Sequence, residues 1–302
     1  MAAHVLAVLC VAPVAACGTS TTTVPGPTPA YTHAGTSSLA SSRPASVSAP
    51  GTRKVGPSPE RSPSQRRPVS SDPTVTPAGG RPVIVVDPGH SPFISAVDSG
   101  TGLNVSDYEN EPEMRDVFAV AELVRTKLEA AGYRVIMTKT SATARVSLGQ
   151  RAVIANTAHA ALALSIHDQA GSNGGLAFDQ ANNTVYYQSV GDYRATPTGN
   201  KVVFTDSRVA ALSQKYGQIF RDQRAAVEGH PVVLRGNVGY DLGSRGLPAG
   251  NIWIVQLLSR VPWIYDEAGG NSAGMSGLNS TDKEKYADGL VAGVEHCISP
   301  AR

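Results

Sequence analysis

The chain has 302 residues, a net charge of +2 and 41% hydrophobic side chains, so it is long enough for one or two globular domains. The excess positive charge lies before residue 81 and the remainder is slightly acidic, which argues against a surface built to bind nucleic-acid backbones. The chain has three cysteines and two of them fall in the first 17 residues, so no disulfide framework is expected.

The first 16 residues form a short apolar run that ends in small side chains, which is typical of a secretory signal and too short for a membrane span. The run ends in Val14-Ala15-Ala16-Cys17, which resembles the lipobox of bacterial lipoproteins. That resemblance implies that residues 1–17 are a leader and that lipid on Cys17 anchors the protein to a membrane. No Lys or Arg lies in this run, so a plain cleaved signal and an uncleaved anchor stay as alternatives.

Residues 18–80 are dominated by Ser, Thr, Pro, Ala and Gly and contain almost no large apolar side chains. Such a segment cannot bury enough surface to offset the entropy of ordering, so we expect a disordered linker. A flexible chain of this length spans on the order of 45 Å, which would give an attached domain considerable reach.

Residues 81–302 form the single predicted folded domain. The apolar run Val83–Val86 predicts a buried strand, and apolar spacings of three and four from Glu113 to Ala131 predict a helix that ends at Gly132. Further strands are predicted at Tyr133–Thr138, Ala161–Ile166, Thr184–Gln188 and Trp263–Asp266, and further helices at Val146–Ala158, Asp206–Val227 and Asp282–Cys297. This alternation indicates an α/β domain with a twisted, largely parallel sheet and helices on both faces.

Two histidines stand at the ends of predicted strands. His90 closes an Asp-Pro-Gly-His sequence after the first strand, and His167 directly follows the strand that ends at Ile166. Because the carboxyl ends of parallel strands meet at one edge of the sheet, we expect both imidazoles in one crevice. Either histidine alone would more often be structural. Asp168, next to His167, is a candidate for orienting an imidazole.

A carboxylate that could join the two histidines is offered by Glu113, in the first turn of the helix that follows His90. The helix dipole also favours an acidic residue there, and Glu109 and Glu111 lie in the same acidic stretch, so spacing alone leaves the ligand open among the three. Two imidazoles and one carboxylate leave one position of a tetrahedral zinc ion for water, which is the arrangement of catalytic zinc sites.

A second carboxylate, Glu267, follows the predicted strand Trp263–Asp266 at the same edge of the sheet. Zinc lowers the pKa of bound water towards about 7, but amide hydrolysis also needs a group that accepts and donates protons. Glu267 is the candidate for that group. Adjacent side chains of a strand point to opposite faces, so only one of Asp266 and Glu267 is expected to face the metal.

Across the globular part of the chain, the sequence resembles the zinc N-acetylmuramoyl-L-alanine amidases of the amidase-3 family. The motifs that carry the resemblance are Asp87-Pro88-Gly89-His90, Glu113 with its helix, Arg151-Ala152 with Ala155-Asn156, Ser165-Ile166-His167, and Pro262 to Glu267. The resemblance implies one Zn²⁺ held by His90, Glu113 and His167. It also implies hydrolysis of the amide between N-acetylmuramic acid and L-alanine in peptidoglycan, with Glu267 as the general base. We expect a monomer outside the cytoplasmic membrane, anchored to its outer face or associated with the wall.

Two other functions are compatible with the sequence. The run Gly270-Asn271-Ser272-Ala273-Gly274 fits the nucleophile elbow of serine hydrolases, but a turn-rich stretch follows where the elbow requires a helix. The stronger alternative is a non-catalytic lipoprotein that binds peptidoglycan, because the neighbours of Glu267 depart most from the family pattern. Substitution of Glu267 separates the two, since binding would survive it and hydrolysis would not.

Overall fold

The computed structural model describes residues 80–169, 183–236, 249–269 and 278–300. The predicted leader with Cys17, nearly all of the predicted linker and the serine-elbow sequence at 270–274 lie outside these residues. The elements are, in chain order, β1 (Val83–Pro88), α1 (Glu111–Ala130), β2 (Arg134–Met137), α2 (Leu148–Thr157), β3 (Leu162–Gln169), β4 (Thr184–Tyr186), β5 (Tyr193–Ala195), β6 (Lys201–Val203), α3 (Ser207–Glu228), β7 (Val233–Arg235), α4 (Ile254–Leu258), β8 (Trp263–Gly269) and α5 (Ser280–Cys297). None of these helices is long and apolar enough to cross a membrane.

The central sheet has six strands in the order β2-β1-β3-β8-β4-β7. Strands β2, β1, β3 and β8 are parallel, whereas β4 is antiparallel to β8 and carries β7 parallel to itself. The prediction of a largely parallel sheet is therefore confirmed. Strands β5 and β6 form a separate antiparallel hairpin.

Helices cover both faces of the sheet, as predicted. Successive side chains of a strand point to opposite faces, so Ile84 and Val85 of β1 enter two different apolar clusters. The cluster around Ile84 contains side chains of α1, α3 and α5, and the cluster around Val85 contains side chains of α2 and α4. Fully burying one such aliphatic side chain contributes about 1.5–3 kcal/mol to the stability of the fold, so the helices packed on the two faces stabilise the sheet.

The main differences from the predicted elements lie at strand ends. Pairing between β3 and β8 continues from Ala163↔Trp263 to Gln169↔Gly269, so His167 and Glu267 lie within these strands and not directly after them. The residues that extend these strands beyond their predicted ends are mostly polar. The strands were predicted from apolar runs, which stop before these residues. The short elements β5, β6, β7 and α4 were not predicted, because three to five residues carry too little periodic signal.

Candidate metal centre

The structure brings His90, Glu113 and His167 together at the carboxyl edge of the parallel strands. Nε2 of His90 lies 2.9 Å from Oε2 of Glu113, and Nδ1 of His167 lies 3.0 Å from Oε1. All three residues are buried, and each offers a ligand atom within 4.8 Å of the others. This group could hold a metal ion.

Of the three glutamates that the sequence left open, Glu113 is the one in this group. Glu109 and Glu111 are exposed, and Glu111 pairs with Arg115 at 2.5 Å. Glu113 lies on the buried stripe of α1, one helical turn before Val117. The helix therefore turns this carboxylate inward, towards the edge of the sheet.

The protonation states of the group suit a metal ion. Burial lowers the pKa of His167, which favours a neutral imidazole with a free lone pair. Burial alone would raise the pKa of Glu113, but His90 and His167 outweigh it and hold that pKa below its ordinary value. Neutral imidazole and ionised carboxylate are the forms that bind metals.

The backbone of His90 is held in an unusual conformation. Its φ is 53°, in the left-handed region that residues other than glycine rarely adopt. The Nζ of Lys139 donates to the carbonyl oxygens of Gly89 and His90 at 2.8 and 2.6 Å. Arg151 donates to the carbonyl oxygens of Pro88 and His90 at 2.7 and 2.6 Å. These bonds satisfy three successive carbonyl groups and fix the backbone from which the His90 imidazole projects.

Two carboxylates balance the charge of Arg151, which is itself buried. Arg151 lies 2.7 Å from Oδ1 of Asp87 and 2.9 Å from Oδ2 of Asp107. Thr138 and Ser165 donate further hydrogen bonds to Asp87, at 2.6 and 2.8 Å. Burial would raise the pKa of Asp87, but Arg151 and these donors lower it overall. The buried charges are thus paired and hydrogen-bonded, as their removal from water requires.

The ring of His167 belongs to a column of stacked rings. Its centroid lies 4.4 Å from that of Tyr265, with 15° between the planes, and Tyr265 stacks on Trp253 at 4.7 Å and 13°. Behind the sheet, the hydroxyl of Tyr286 donates to the carbonyl oxygen of His167 at 3.2 Å. The stack and the backbone contact together restrict how the imidazole can tilt.

Glu267 lies beside His167 in the sheet. The two residues are paired in register on adjacent parallel strands, so their side chains point to the same face. Burial raises the pKa of Glu267 well above its ordinary value, and the carboxylates of Glu113 and Asp168 add to the effect. Its Oε2 has no hydrogen-bond partner in the described part of the chain. The site therefore contains a buried carboxyl group with an unused oxygen.

Asp266 points to the opposite face, as strand alternation predicts. Its Oδ1 lies 3.0 Å from Arg224 of α3, which also pairs with Glu228 at 2.7 Å and donates to the carbonyl oxygen of Glu267 at 3.3 Å. Burial raises the pKa of Asp266 to about 7 and outweighs the opposing effect of Arg224. This network supports the backbone of Glu267 from behind.

Asp168 contacts the candidate site through its backbone. Its N–H donates to Oε1 of Glu113 at 3.1 Å, and its carboxylate is close enough to Glu267 to raise the pKa of that group. The orienting role that the sequence suggested for Asp168, acting on an imidazole, stays a prediction.

A cavity of about 250 Å³ opens beside the two histidines. Phe93, Tyr108 and Trp253 line it together with His90 and His167. Phe93 and Tyr108 are 61% and 57% exposed, so they lie where the cavity meets solvent. A ligand can therefore reach the candidate metal group from outside.

Several polar residues around the site were not singled out from the sequence as functional: the partly buried Asn110 and the buried Lys139, Arg224 and Tyr286. One of them carries a signal that could have been used. Arg224 follows Phe220 by four residues on the buried face of α3, and Glu228 follows by four more. A charged pair on an otherwise apolar stripe predicts a buried ion pair. Asn110 carries no such signal, because asparagine before a helix is ordinary.

The fold and the site define an α/β protein with a metal-competent His-Glu-His group and a buried glutamate at the carboxyl edge of its sheet. The family profile described as N-acetylmuramoyl-L-alanine amidase, Amidase_3, matches residues 84–296. This match covers well over half of the chain, and the protein belongs to that family.

Three solved structures are similar to this chain. The catalytic domain of CwlV, an N-acetylmuramoyl-L-alanine amidase from Bacillus (Paenibacillus) polymyxa var. colistinus, is 18% identical, with a TM-score of 0.45 over 71% of this chain and 97% of that one. The amidase Ami1 from Mycobacterium smegmatis is 23% identical, with a TM-score of 0.49 over 72% and 96%. The amidase from Clostridium difficile 630 is 19% identical, with a TM-score of 0.45 over 71% and 95%. Comparison with curated proteins gave no significant match.

Proposed function

We propose that this protein is a zinc-dependent N-acetylmuramoyl-L-alanine amidase that hydrolyses the amide between N-acetylmuramic acid and L-alanine in peptidoglycan. Membership of the family supports the reaction class. The observation that carries the proposal is the in-register pairing of His167 with Glu267, which puts a buried carboxyl group next to a metal-competent cluster.

His90, Glu113 and His167 would hold the metal. Two imidazoles and one carboxylate form a ligand set of catalytic zinc sites, which keep one position open. When bound, zinc would polarise the scissile carbonyl group and lower the pKa of water. The neutral imidazole of His167 and the ionised carboxylate of Glu113 meet the needs of such an ion.

Glu267 would move the protons of the reaction. Water attacks the carbonyl carbon of the amide, and the carboxylate of Glu267 takes the proton that this water loses. The same carboxyl group then gives the proton to the amide nitrogen, and the C–N bond breaks. The products are the lactyl carboxylic acid and the free amine of the stem peptide, and the acid then passes its remaining proton to the amine. A pKa raised by burial suits the second step, because it helps the group to keep the proton until the amide nitrogen takes it.

The test is digestion of purified muropeptides by the wild type and by Glu267→Gln, with the products identified by mass spectrometry. We expect the wild type to release intact stem peptides. The variant should lose roughly 10²- to 10⁴-fold in rate, as expected for a general acid–base group, while its zinc content stays unchanged. Glu109→Gln, an exposed carboxylate near the same site, is the matched control and should keep its rate.

Each outcome has a clear meaning. Release of sugars in place of peptides would refute the amidase reaction, and near-normal release by Glu267→Gln would refute the role of Glu267. A wild type that binds peptidoglycan without cleaving it would establish the alternative, a non-catalytic binding lipoprotein.

We further propose that the catalytic domain, residues 81–302, acts outside the cytoplasmic membrane at the end of a linker over residues 18–80. The sequence Val14-Ala15-Ala16-Cys17 supports lipid attachment at Cys17. Labelling of cells with a fatty-acid probe should mark the wild type and leave Cys17→Ser unlabelled. Equal labelling of both proteins would exclude the anchor.

A further inference from the structure

Helix α1 begins without the hydrogen bond that its first residues usually receive. Asn110 is the N-cap residue, a position where an asparagine side chain ordinarily accepts a bond from the first turn. Ser147, Asp206 and Asn279 accept such bonds at the starts of α2, α3 and α5. Asn110 makes no side-chain cap, although its residue type is well suited to one.

The side chain of Asn110 is directed to Glu113 instead. Its Nδ2 donates to Oε2 of Glu113 at 2.6 Å. The alternative amide orientation would put the carbonyl oxygen of Asn110 against a carboxylate oxygen, which is repulsive, so the nitrogen must face Glu113. The usual capping bond has been exchanged for a bond to a candidate metal ligand.

Each carboxylate oxygen of Glu113 thus accepts one hydrogen bond and also lies near a ring nitrogen of one histidine. Oε2 accepts from Asn110 and lies near Nε2 of His90. Oε1 accepts from the backbone N–H of Asp168 and lies near Nδ1 of His167. This arrangement fixes the rotation of the carboxylate as well as its position.

The first turn of α1 also favours this use of the two side chains. A glutamate three residues after the N-cap often turns back to the N-cap backbone in a reciprocal capping box. Pro112, between Asn110 and Glu113, has no N–H to offer to a capping side chain. The turn therefore gains less from capping than an ordinary helix start.

We propose that Asn110 is a positioning residue of the metal site, whose hydrogen bond holds the Glu113 carboxylate in the orientation that binds the ion. The inference rests on the proposed metal role of Glu113. Hydrogen bonds to metal ligands from such outer residues typically change metal affinity by about 10- to 100-fold. Asn110 acts through Glu113 and has no part in proton transfer.

The experiment measures zinc affinity of the full chain by competition with a chromogenic chelator, together with thermal unfolding of the metal-free protein. Asn110→Ala should weaken zinc binding by about 10- to 100-fold, and Asn110→Ser by a similar factor, because serine has no amide donor for the Glu113 carboxylate and is too short to replace it. Ser is also a good N-cap residue, so Asn110→Ser should leave the metal-free unfolding midpoint unchanged or higher. If Asn110 only stabilised the fold, a substitution that leaves the unfolding midpoint unchanged would leave zinc affinity unchanged as well.

The matched control is Asn279→Ala, because Asn279 does cap its helix, accepting from Asp282 N–H at 3.0 Å. It should lower the unfolding midpoint and leave zinc affinity unchanged. Glu113→Gln separates the two proposals. If it loses zinc while both Asn110 variants bind like the wild type, the inference about Asn110 is wrong and the metal site stands. If Glu113→Gln binds zinc like the wild type, Glu113 is no ligand and both proposals fail.

Discussion

A β-carbon at position 89 would lie 2.3 Å from Cε1 of the His167 ring, so Gly89 and His167 fit together only because residue 89 has no side chain. No real β-carbon sits that close to another carbon, and the ring is confined on its other side by Tyr265. The imidazole can hold its place only while glycine precedes His90.

Gly89→Ala is therefore expected to displace the His167 ring and weaken zinc binding by about tenfold or more, in the range of changes around metal ligands. The same chelator competition measures it. Gly100→Ala is the control, because a β-carbon there would meet its nearest neighbour, Asp98, at 3.5 Å, an ordinary contact. Unchanged affinity in Gly89→Ala would show that the ring does not need this position.

Lys139→Met tests the clamp on the His90 backbone, meaning the hydrogen bonds by which Lys139 holds that backbone. The substitution removes the donor to the carbonyl oxygens of Gly89 and His90 and keeps the length of the side chain. The buried carbonyl of Gly89 loses this donor, so we expect a loss of about 1–3 kcal/mol in unfolding free energy, with weaker zinc binding as the left-handed backbone relaxes. Urea unfolding measures the first effect, and exposed Lys215→Met should show neither. Full stability in Lys139→Met would argue against the clamp.

The raised pKa of Asp266 predicts a pH dependence of stability. The folded protein keeps a proton on this group up to about pH 7, whereas the unfolded chain releases it near the ordinary value of 3.8. Between these limits the folded state binds more protons at this group, so the contribution of Asp266 to stability falls as pH rises, by at most about 1.4 kcal/mol per unit. Asp266→Asn cannot release a proton, and its stability relative to the wild type should therefore increase from pH 5 to pH 8.

Urea unfolding of Asp266→Asn and the wild type at several pH values measures this trend. Asp222→Asn, which changes an exposed carboxylate on α3, serves as the control and should not reproduce it. A stability difference between Asp266→Asn and the wild type that stays constant with pH would show that Asp266 is ionised in the folded state.

Removal of zinc should lower the thermal unfolding midpoint of the wild type, because an ion that binds the folded state stabilises it in proportion to the logarithm of its excess over the dissociation constant. Re-addition should restore the midpoint. His90→Ala and His167→Ala should contain little zinc and show no response to a chelator, whereas exposed His296→Ala should behave as the wild type. An equal response in His90→Ala would place the metal elsewhere.

The long elements were predicted well from the sequence, whereas the reversed direction of β4 was not predicted. Helix α1 and strands β1 and β3 have strong apolar patterns, and hydrophobic periodicity follows directly from their burial. The reversal of β4 against β8 has no such signal, since a strand of three residues reads the same in either direction.

The candidate site shows a similar division. Strand ends predicted the neighbourhood of His90 and His167, because topology alone brings them to one edge. The choice of Glu113 over Glu109 and Glu111 depended on which face of α1 each residue occupies. The acidic stretch itself does not indicate that face, but Glu113 stands four residues before the apolar Val117 and therefore lies on the same buried face. The orientation of Asn110 could not be predicted, since its side chain had two satisfactory partners and tertiary structure selected one.

The residues of the candidate site come from two separate parts of the chain. The proposed metal ligands all arrive by the end of β3, whereas Glu267 arrives with β8, close to the other end of the domain. Under the proposed roles, mutations confined to β8 would abolish cleavage and leave a domain that still binds its metal. Loss of the reaction would then require changes in only one strand, whereas loss of the metal would require changes earlier in the chain.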